Sequence, residues 1–214
     1  MLYKLVAFDL DRTLVKERTI NYFAKEFGFE KKLNELRTLW KKNQIKEYQI
    51  TIELAKFFKG KSLSDVEKVC KTVPLNIRTK EVVDGIKAKG MKTAIISVAY
   101  SPIVEFYNKE LKVDYIVCPK LLTSNSTFTG EVEFEKYYNE KCELGHSVCK
   151  GLALKNIAKK ENISMKECVA VGDSLGDLCM LRIAGLSIAL QPQEEIKHSV
   201  DIVISDLYEL LSFL

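Results

Sequence analysis

No apolar run in this 214-residue chain reaches the ~18 residues that a membrane-spanning helix requires. The apolar run near the start, Leu5 to Phe8, leads at once into acidic Asp9 and Asp11, which is not the layout of a signal peptide. Neither membrane nor export is therefore expected. The six cysteines lack the paired spacing of a small disulfide-stapled domain, so a reducing cytoplasm is the expected setting. Cys142, His146 and Cys149 stand at spacings like those of zinc ligands, but a structural zinc site takes four ligands in repeated pairs. Cys149 is accordingly read as core and His146 as surface, as is His198. Charge of one sign is also scarce: the net charge is +4, with lysines interspersed among glutamates. That balance suits anionic small molecules and is weak support for nucleic acid as a partner. There are no internal repeats and no low-complexity segments.

What is present is a globular composition, 47% hydrophobic and 29% charged. The length accommodates one large domain or a domain with a sizeable insertion. Leu5-Val6-Ala7-Phe8 reads as a buried strand. Behind it lies a long helical stretch: Thr19 to Phe27 ending at Gly28, Glu30 to Lys42 with Leu33, Leu36, Leu39 and Trp40 on one stripe, and Ile45 to Lys59 ending at Gly60. A fourth helix opens on a capping box read at Ser64 to Glu67, and Pro74 ends the block. A crossover normally needs one helix, so four suggest a separate lobe.

From Thr79 onward helices and strands alternate. Helices are expected over 80–89, from Ser101 as N-cap with Pro102 behind it, and over 148–160. Strands are expected over 92–97, 114–118, 168–172, 186–190 and 201–204, with a small hairpin around Gly130 within 128–134. A last helix opens at Asp206 with Glu209 in capping-box position. The pattern specifies an α/β fold with a mostly parallel sheet covered on both faces. Ligands of such sheets bind beyond the carboxyl ends of the strands, near the switch in strand order.

Those strand ends carry Asp9 and Asp11, then Ser97, then Asp173 and Asp177, with Lys150 near the start of the helix before the Asp173 strand. On an extended segment residues i and i+2 share a face, so Asp9 and Asp11 converge, and like charges that close call for a cation or a retained proton. A hard ion such as Mg²⁺ suits oxygen ligands and commonly accompanies phosphate. Each residue type fits phosphoryl chemistry. A carboxylate can be a nucleophile, and a second can protonate a leaving oxygen and then deprotonate water. A serine at a helix N-terminus can hold phosphate oxygens, and a lysine can neutralise charge. Taken singly, Ser97 and Thr13 also fit turn or cap residues, Lys150 a surface lysine and Asp173 an N-cap.

Asp9-Leu10-Asp11-Arg12-Thr13-Leu14, Ile95-Ile96-Ser97, Lys150-Gly151 and Val171-Gly172-Asp173-Ser174-Leu175-Gly176-Asp177 resemble the four motifs of the haloacid dehalogenase superfamily, specifically its phosphatases. The helical block resembles the C1-type cap of the phosphoserine phosphatase-like branch. The resemblance covers almost the whole chain and is weakest in the cap. It implies a Rossmann-like, doubly wound sheet formed by 1–14 and 80–214, with an inserted all-helical cap over 15–79. It implies a cytoplasmic, Mg²⁺-dependent hydrolase of small phosphorylated metabolites that works through an aspartyl-phosphate. Asp9 would be nucleophile and metal ligand, and Asp11 the acid/base, offering its backbone carbonyl to the metal. Ser97 would bind the phosphoryl group, and Lys150 would position Asp9. Phosphate would be held by Asp9, Leu10, Asp11, Ser97, Val98 and Lys150, with Asp173 completing the metal site and Thr13, Ser174 and Asp177 in support.

The departures bear on substrate. Phosphoserine phosphatases carry a cap glutamate for the substrate amine. Alignment through Thr19-Ile20 places Arg18 there, and a one-residue slip places Glu17. Their carboxylate-binding cap arginine aligns with Leu54 or a neighbour. Gly176 replaces their asparagine, and Val98-Ala99-Tyr100 replaces two glycines after the serine. These point away from phosphoserine, with Arg18 favouring an anionic leaving group. Of Tyr22, Phe23, Trp40 and Tyr48, about one in four is expected to face the site rather than the core. Phosphoserine phosphatase proper stays open as an alternative. So do a phosphorelay receiver, a binding protein without activity and a nucleic-acid 3′-phosphatase.

Overall fold

The computed structural model describes residues 3–134 and 145–214. Its centre is β1 (Leu5–Phe8), every residue of which is buried. Five helices precede the next strand, the first four being α1 (Thr19–Glu26), α2 (Glu30–Lys41), α3 (Glu47–Ala55) and α4 (Leu63–Cys70). Then come α5 (Thr79–Ala88), β2 (Lys92–Ile96), α6 (Ser101–Leu111), β3 (Tyr115–Val117), and a hairpin of β4 (Lys120–Ser124) and β5 (Thr127–Glu133). The chain closes with α7 (Lys150–Lys160), β6 (Cys168–Gly172), a short α8 (Leu178–Leu181), β7 (Leu186–Leu190) and β8 (Ile202–Ile204).

Six strands form one parallel sheet in the order β3-β2-β1-β6-β7-β8. Leu5 pairs with Lys92 on one side and Cys168 on the other, and Phe8 with Ile95 and Val171. The strand order therefore reverses around β1. The carboxyl ends of β1, β2 and β6 lie side by side, and the crevice this creates is where a doubly wound sheet takes its ligand. Alternation along β1 divides the core: Val6 and Phe8 belong to the apolar cluster on one face, Leu5 and Ala7 to that on the other.

The inserted helices dock on the first of those clusters, which runs without a break into Phe23, Leu33, Leu54, Phe58 and Val66. Rings of Phe23, Phe27 and Phe58 meet at centroid distances of 5.3–5.5 Å. Two buried tyrosines tie the block to the sheet side. The Tyr100 hydroxyl donates to the Thr51 carbonyl at 2.6 Å, and that of Tyr107 to the carbonyls of Cys70 (3.1 Å) and Val73 (2.9 Å). A third tie uses the start of α3: Glu47 Oε2 accepts from the Ser147 amide at 2.6 Å and its hydroxyl at 2.9 Å.

Several local expectations change. The capping box of α4 is Ser62 with Asp65, whose side chains exchange bonds with each other's amides, rather than Ser64 with Glu67. Asp65 is the carboxylate that stands three residues after a serine in extended backbone. Tyr100, not Ser101, caps α6, and the Ser101 hydroxyl instead accepts from the Leu121 amide. The hairpin turns at Asn125-Ser126, both at positive φ, and 127–133 is a single strand, so Gly130 marks no turn. Cβ of a residue at 130 would stand 3.0 Å from Lys59 Cβ, so the glycine serves close approach to the helical block. The third inserted helix ends at Ala55 and continues as a 3₁₀ turn over Lys56–Phe58, and the C-terminal element Leu207–Ser212 is 3₁₀ throughout. Among the described residues no helix is long and apolar enough to cross a membrane.

Candidate active site

Each strand of the crevice ends in a polar group, and the three ends meet. Asp9 follows β1, Ser97 follows β2 and Asp173 follows β6, and all are buried. Lys150, the first residue of α7, is 2% exposed and places Nζ 2.6 Å from both Asp9 Oδ1 and Asp177 Oδ1. Asp177 is itself fully used. Its Oδ2 accepts from the amides of Asp173 and Ser174, both at 3.0 Å, and from the Ser174 hydroxyl at 3.2 Å. Gly172 makes room for this: a Cβ there would stand 2.5 Å from Asp177 Cγ.

Asp9, Asp173 and Asp177 each bring a carboxylate oxygen within 4.8 Å of the others. Burial pushes Asp9 well above the usual carboxylate range, and Asp177 and Asp173 add to this while Lys150 opposes it. Asp173 is pushed up to about 6 by burial and by Asp177, against the pull of Arg12, Arg18 and Lys150. Lys150 is held firmly charged: burial alone would lower it, but Asp177 and Asp9 outweigh that. Asp173 Oδ2 is buried with no hydrogen-bond donor, and its closest cation is the long 3.5 Å contact with Arg12 Nη1. Three buried oxygens, one of them orphaned, form the donor set that a hard divalent cation takes. Asp9 and Asp173 have the capacity to ligate it, whereas the lone pairs of Asp177 are committed to Lys150, the backbone and Ser174.

Asp11 is not part of this cluster. The chain turns after Leu10, with Arg12 at φ 63, a region that costs energy for a residue with a side chain. Asp11 is thereby aimed at the inserted helices, where Oδ1 accepts from the Thr19 amide at 3.0 Å. Burial raises its carboxyl, with the Thr19 bond and Arg18 opposing. Two carboxyls of one strand end are thus sorted, one beside a lysine and the other at a helix N-terminus. Thr13 lies fully buried beneath the loop, and no donor or acceptor meets its Oγ1. The Ser97 hydroxyl accepts from the Ala99 amide at 3.1 Å.

These groups open on a cavity of about 940 Å³ between the strand ends and the inserted helices. Of the residues expected at the site, Asp9, Asp11, Ser97, Val98, Lys150, Asp173, Ser174 and Arg18 line it. Leu10, Thr13 and Asp177 lie behind that wall. Glu17 is exposed and Arg18 half-buried on the wall. Trp40 is the one of the four aromatics that lines the cavity. Phe23 is core, and Tyr22 packs partly buried against it.

Two expectations fail here. Leu39 points outward, 36% exposed, and Arg37 takes its place on the inner stripe between Leu33 and Trp40. His146 is 3% exposed and not a surface residue. It is covered because α3 bonds to the segments on either side of it, Tyr48 to the Gly145 carbonyl and Glu47 to Ser147. His146 lines the cavity and its Nδ1 has no partner. The zinc reading cannot be carried further, since Cys142 lies outside the described residues. Cys149 is buried and His198 exposed, as expected. The residues that sequence reasoning missed are Asn21, Arg37, Glu47 and Thr51. Arg37 had a legible signal, lying four residues after Leu33 and three before Trp40 on one helix face.

Comparison with known proteins agrees with this geometry. Residues 4–190 match the family model described as "Putative Phosphatase". The chain is 30% identical to the phosphoserine phosphatase of Methanocaldococcus jannaschii over 213 residues, 99% of this chain and 97% of that one. It is 28% identical to that of Streptococcus thermophilus over 212 residues, 98% and 95% of the two chains. Among solved structures it matches a phospho-aspartyl intermediate analogue of phosphoserine phosphatase with a TM-score of 0.83, at 29% identity and full coverage of both chains. A substrate-bound phosphoserine phosphatase complex also matches with a TM-score of 0.83, at 29% identity, covering 100% of this chain and 99% of that one.

Proposed function

The chain belongs to the haloacid dehalogenase phosphatases, in their phosphoserine phosphatase-like branch, and on that premise we propose that it hydrolyses small phosphomonoesters through an aspartyl-phosphate on Asp9, with Mg²⁺ at the acidic cluster. It is a phosphoric monoester hydrolase. The observation that carries the finer reading is the Lys150 bridge between Asp9 and Asp177 beside an orphaned Asp173 oxygen.

Asp9 attacks phosphorus. Lys150 fixes its carboxylate and balances the charge that builds on the phosphoryl oxygens. Asp11, held at the Thr19 amide and raised by burial, carries the proton that the leaving oxygen needs. It then takes a proton from the water that releases phosphate from Asp9. Ser97 and the backbone at Leu10 and Val98 hold the phosphoryl oxygens. Asp9, Asp173 and the Asp11 backbone carbonyl would hold Mg²⁺, which would supply charge neutralisation for the phosphate. Thr13 and Ser174 support the two loops. Residues 15–79 act as a cap that excludes water during the first step and contacts the leaving group. Residues 1–14 and 80–214 form the catalytic core.

Phosphoserine is the second reading, since the relatives from Methanocaldococcus jannaschii and Streptococcus thermophilus carry that activity by name. It needs an acceptor for its ammonium. Glu47 is the acidic side chain on the helical wall, but three of its four acceptor positions are already taken, one on Oε1 by Thr51 and two on Oε2 by Ser147. Phosphoserine is therefore expected to be a poor substrate.

The test is phosphate release from a panel of phosphoserine, sugar phosphates, nucleotides, phosphoglycolate, pyridoxal phosphate and an aryl phosphate, with and without Mg²⁺. Mg²⁺-dependent turnover by the wild type and none by Asp9→Asn is expected. Turnover that survives in Asp9→Asn would overturn the mechanism, and phosphoserine ranking first would overturn the substrate assignment.

A further inference from the structure

We infer that His146 is a specificity-determining residue that touches the leaving alcohol and hydrogen-bonds an uncharged hydroxyl on it, so that the substrates are phosphate esters of hydroxylated alcohols of the sugar or polyol type. This rests on the site being a phosphatase, and it adds a chemical class for the leaving group.

His146 stands four residues before Lys150 on the segment that leads into α7, and its side chain lines the cavity. The phosphoryl site is near enough for the charges of Lys150 and Asp177 to act on the ring. The residue is 3% exposed, and its Nδ1 is buried with no hydrogen-bond partner. A buried polar atom left in that state costs free energy, and native proteins keep few of them. No step of the proposed hydrolysis uses the ring. Its charged neighbours are committed elsewhere, Lys150 to Asp9 and Asp177, and Glu47 to Thr51 and Ser147.

The charge of the missing partner follows from these surroundings. Burial lowers the imidazole from its ordinary value; Glu47 opposes this, Lys150 adds to it and Asp177 opposes it. The ring is therefore neutral near pH 7, with one N–H and one lone pair. A carboxylate or second phosphate on the alcohol would call for the protonated ring instead. An ammonium would find one remaining acceptor position at Glu47, with the charge of Lys150 close by. A hydroxyl donates and accepts, so it answers either nitrogen, whichever holds the proton. The cavity arginines do not call for an anion in its place, since Arg18 and Arg37 already have an acidic neighbour in Asp11. Trp40 adds aromatic surface to the same cavity, which suits the C–H groups of such an alcohol.

The test compares non-hydrolysable phosphonates at saturating Mg²⁺ by titration calorimetry. Hydroxyethyl- and hydroxypropylphosphonate are set against their methyl-ended isosteres, propyl- and butylphosphonate, with aminoethylphosphonate and phosphonoacetate as charged comparators. The wild type is expected to favour a hydroxylated probe over its isostere by about 10-fold, the worth of one neutral hydrogen bond at a buried site. That ratio is expected to fall below about 2-fold in His146→Phe and to be partly kept in His146→Gln, which restores a donor and an acceptor. Thermal melting checks that each variant folds. The chain has two histidines, so imidazole NMR of otherwise unaltered protein gives a second readout, with His198→Gln assigning the signals. A hydroxylated probe is expected to shift the His146 ring resonances more than its isostere does. Equal binding of hydroxylated probes and isosteres by wild type would overturn the inference and leave the phosphatase reading standing. So would a preference for the ammonium or carboxylate probe, or a His146 ring that responds alike to both members of each pair. Failure of every phosphonate to bind would remove the phosphatase reading and the inference with it.

Discussion

Replacing Lys150 by methionine is expected to destabilise the protein by about 3–5 kcal/mol, because it leaves two buried carboxylates without their cation. The figure follows from geometry. Nζ is 2.6 Å from Asp9 and 2.6 Å from Asp177, and the exposures of the three residues are 2%, 6% and 0%. Water cannot reach the pair, so the discount that applies to surface ion pairs does not apply here. In a domain of this size that is a fall in Tm of about 6–20 °C. The loss should grow with pH. Without Lys150 the Asp9 carboxyl, already raised by burial, loses the charge that opposes that rise, so the native state takes up a proton that the unfolded state does not. Stability is then retained at low pH and lost as pH rises through the raised pKa values. Urea denaturation of metal-free wild type and variant at pH 5 and pH 8 measures this. The control is Lys197→Met, which removes an exposed pair with Glu194 and should leave stability nearly unchanged. A Lys150→Met variant within 1 kcal/mol of wild type at both pH values would refute the reasoning.

Tyr100→Phe strips the buried donor from the Thr51 carbonyl and should cost about 1–3 kcal/mol, with faster hydrogen exchange in α3 than in β1; uniform exchange would contradict the tethering role. Mg²⁺ should raise Tm more at pH 7.5 than at pH 5. Asp173 is pushed up to about 6, so its proton stabilises the metal-free fold at low pH and must leave before the oxygen can ligate; an equal shift at both values would count against the proposed ligands. Gly172→Ala places a Cβ 2.5 Å from Asp177 Cγ and should lower both Tm and turnover, whereas Gly176→Ala, whose Cβ would stand 3.6 Å from Ser174 Oγ, should leave Tm within about 1 °C. Thermal melts of both variants check this.

The sheet and its crevice were legible because their signals are local. Leu5 to Phe8 and Cys168 to Gly172 are short apolar runs, each followed at once by an aspartate, and both are buried throughout. The ordered polar residues at strand ends located Asp9, Ser97, Lys150 and Asp173, and all four line one cavity. The helical wall was read less well, because its chemistry depends on contacts distant in sequence. His146 is buried only because α3, about a hundred residues earlier, closes over Gly145 and Ser147. Tyr100 stands three residues after Ser97, and sequence could not say that its hydroxyl reaches Thr51. The α2 stripe differs in one member, Arg37 standing inward in place of Leu39. An arginine with its stem against apolar neighbours and its head in a cavity looks polar to a hydrophobic count. Capping boxes were ambiguous where serines and acids crowd together, as at Ser62-Leu63-Ser64-Asp65.

The central claim is that Asp9 carries the phosphoryl group between the two steps. It is tested most directly by acid-quenching the working enzyme with an aryl phosphate and Mg²⁺ and mapping the added phosphoryl mass by peptide mass spectrometry. The account predicts the adduct on the peptide bearing Asp9, absent from Asp9→Asn and accumulating in Asp11→Asn, whose second step lacks its base. Turnover without any adduct on that peptide, or an adduct that persists in Asp9→Asn, would contradict it.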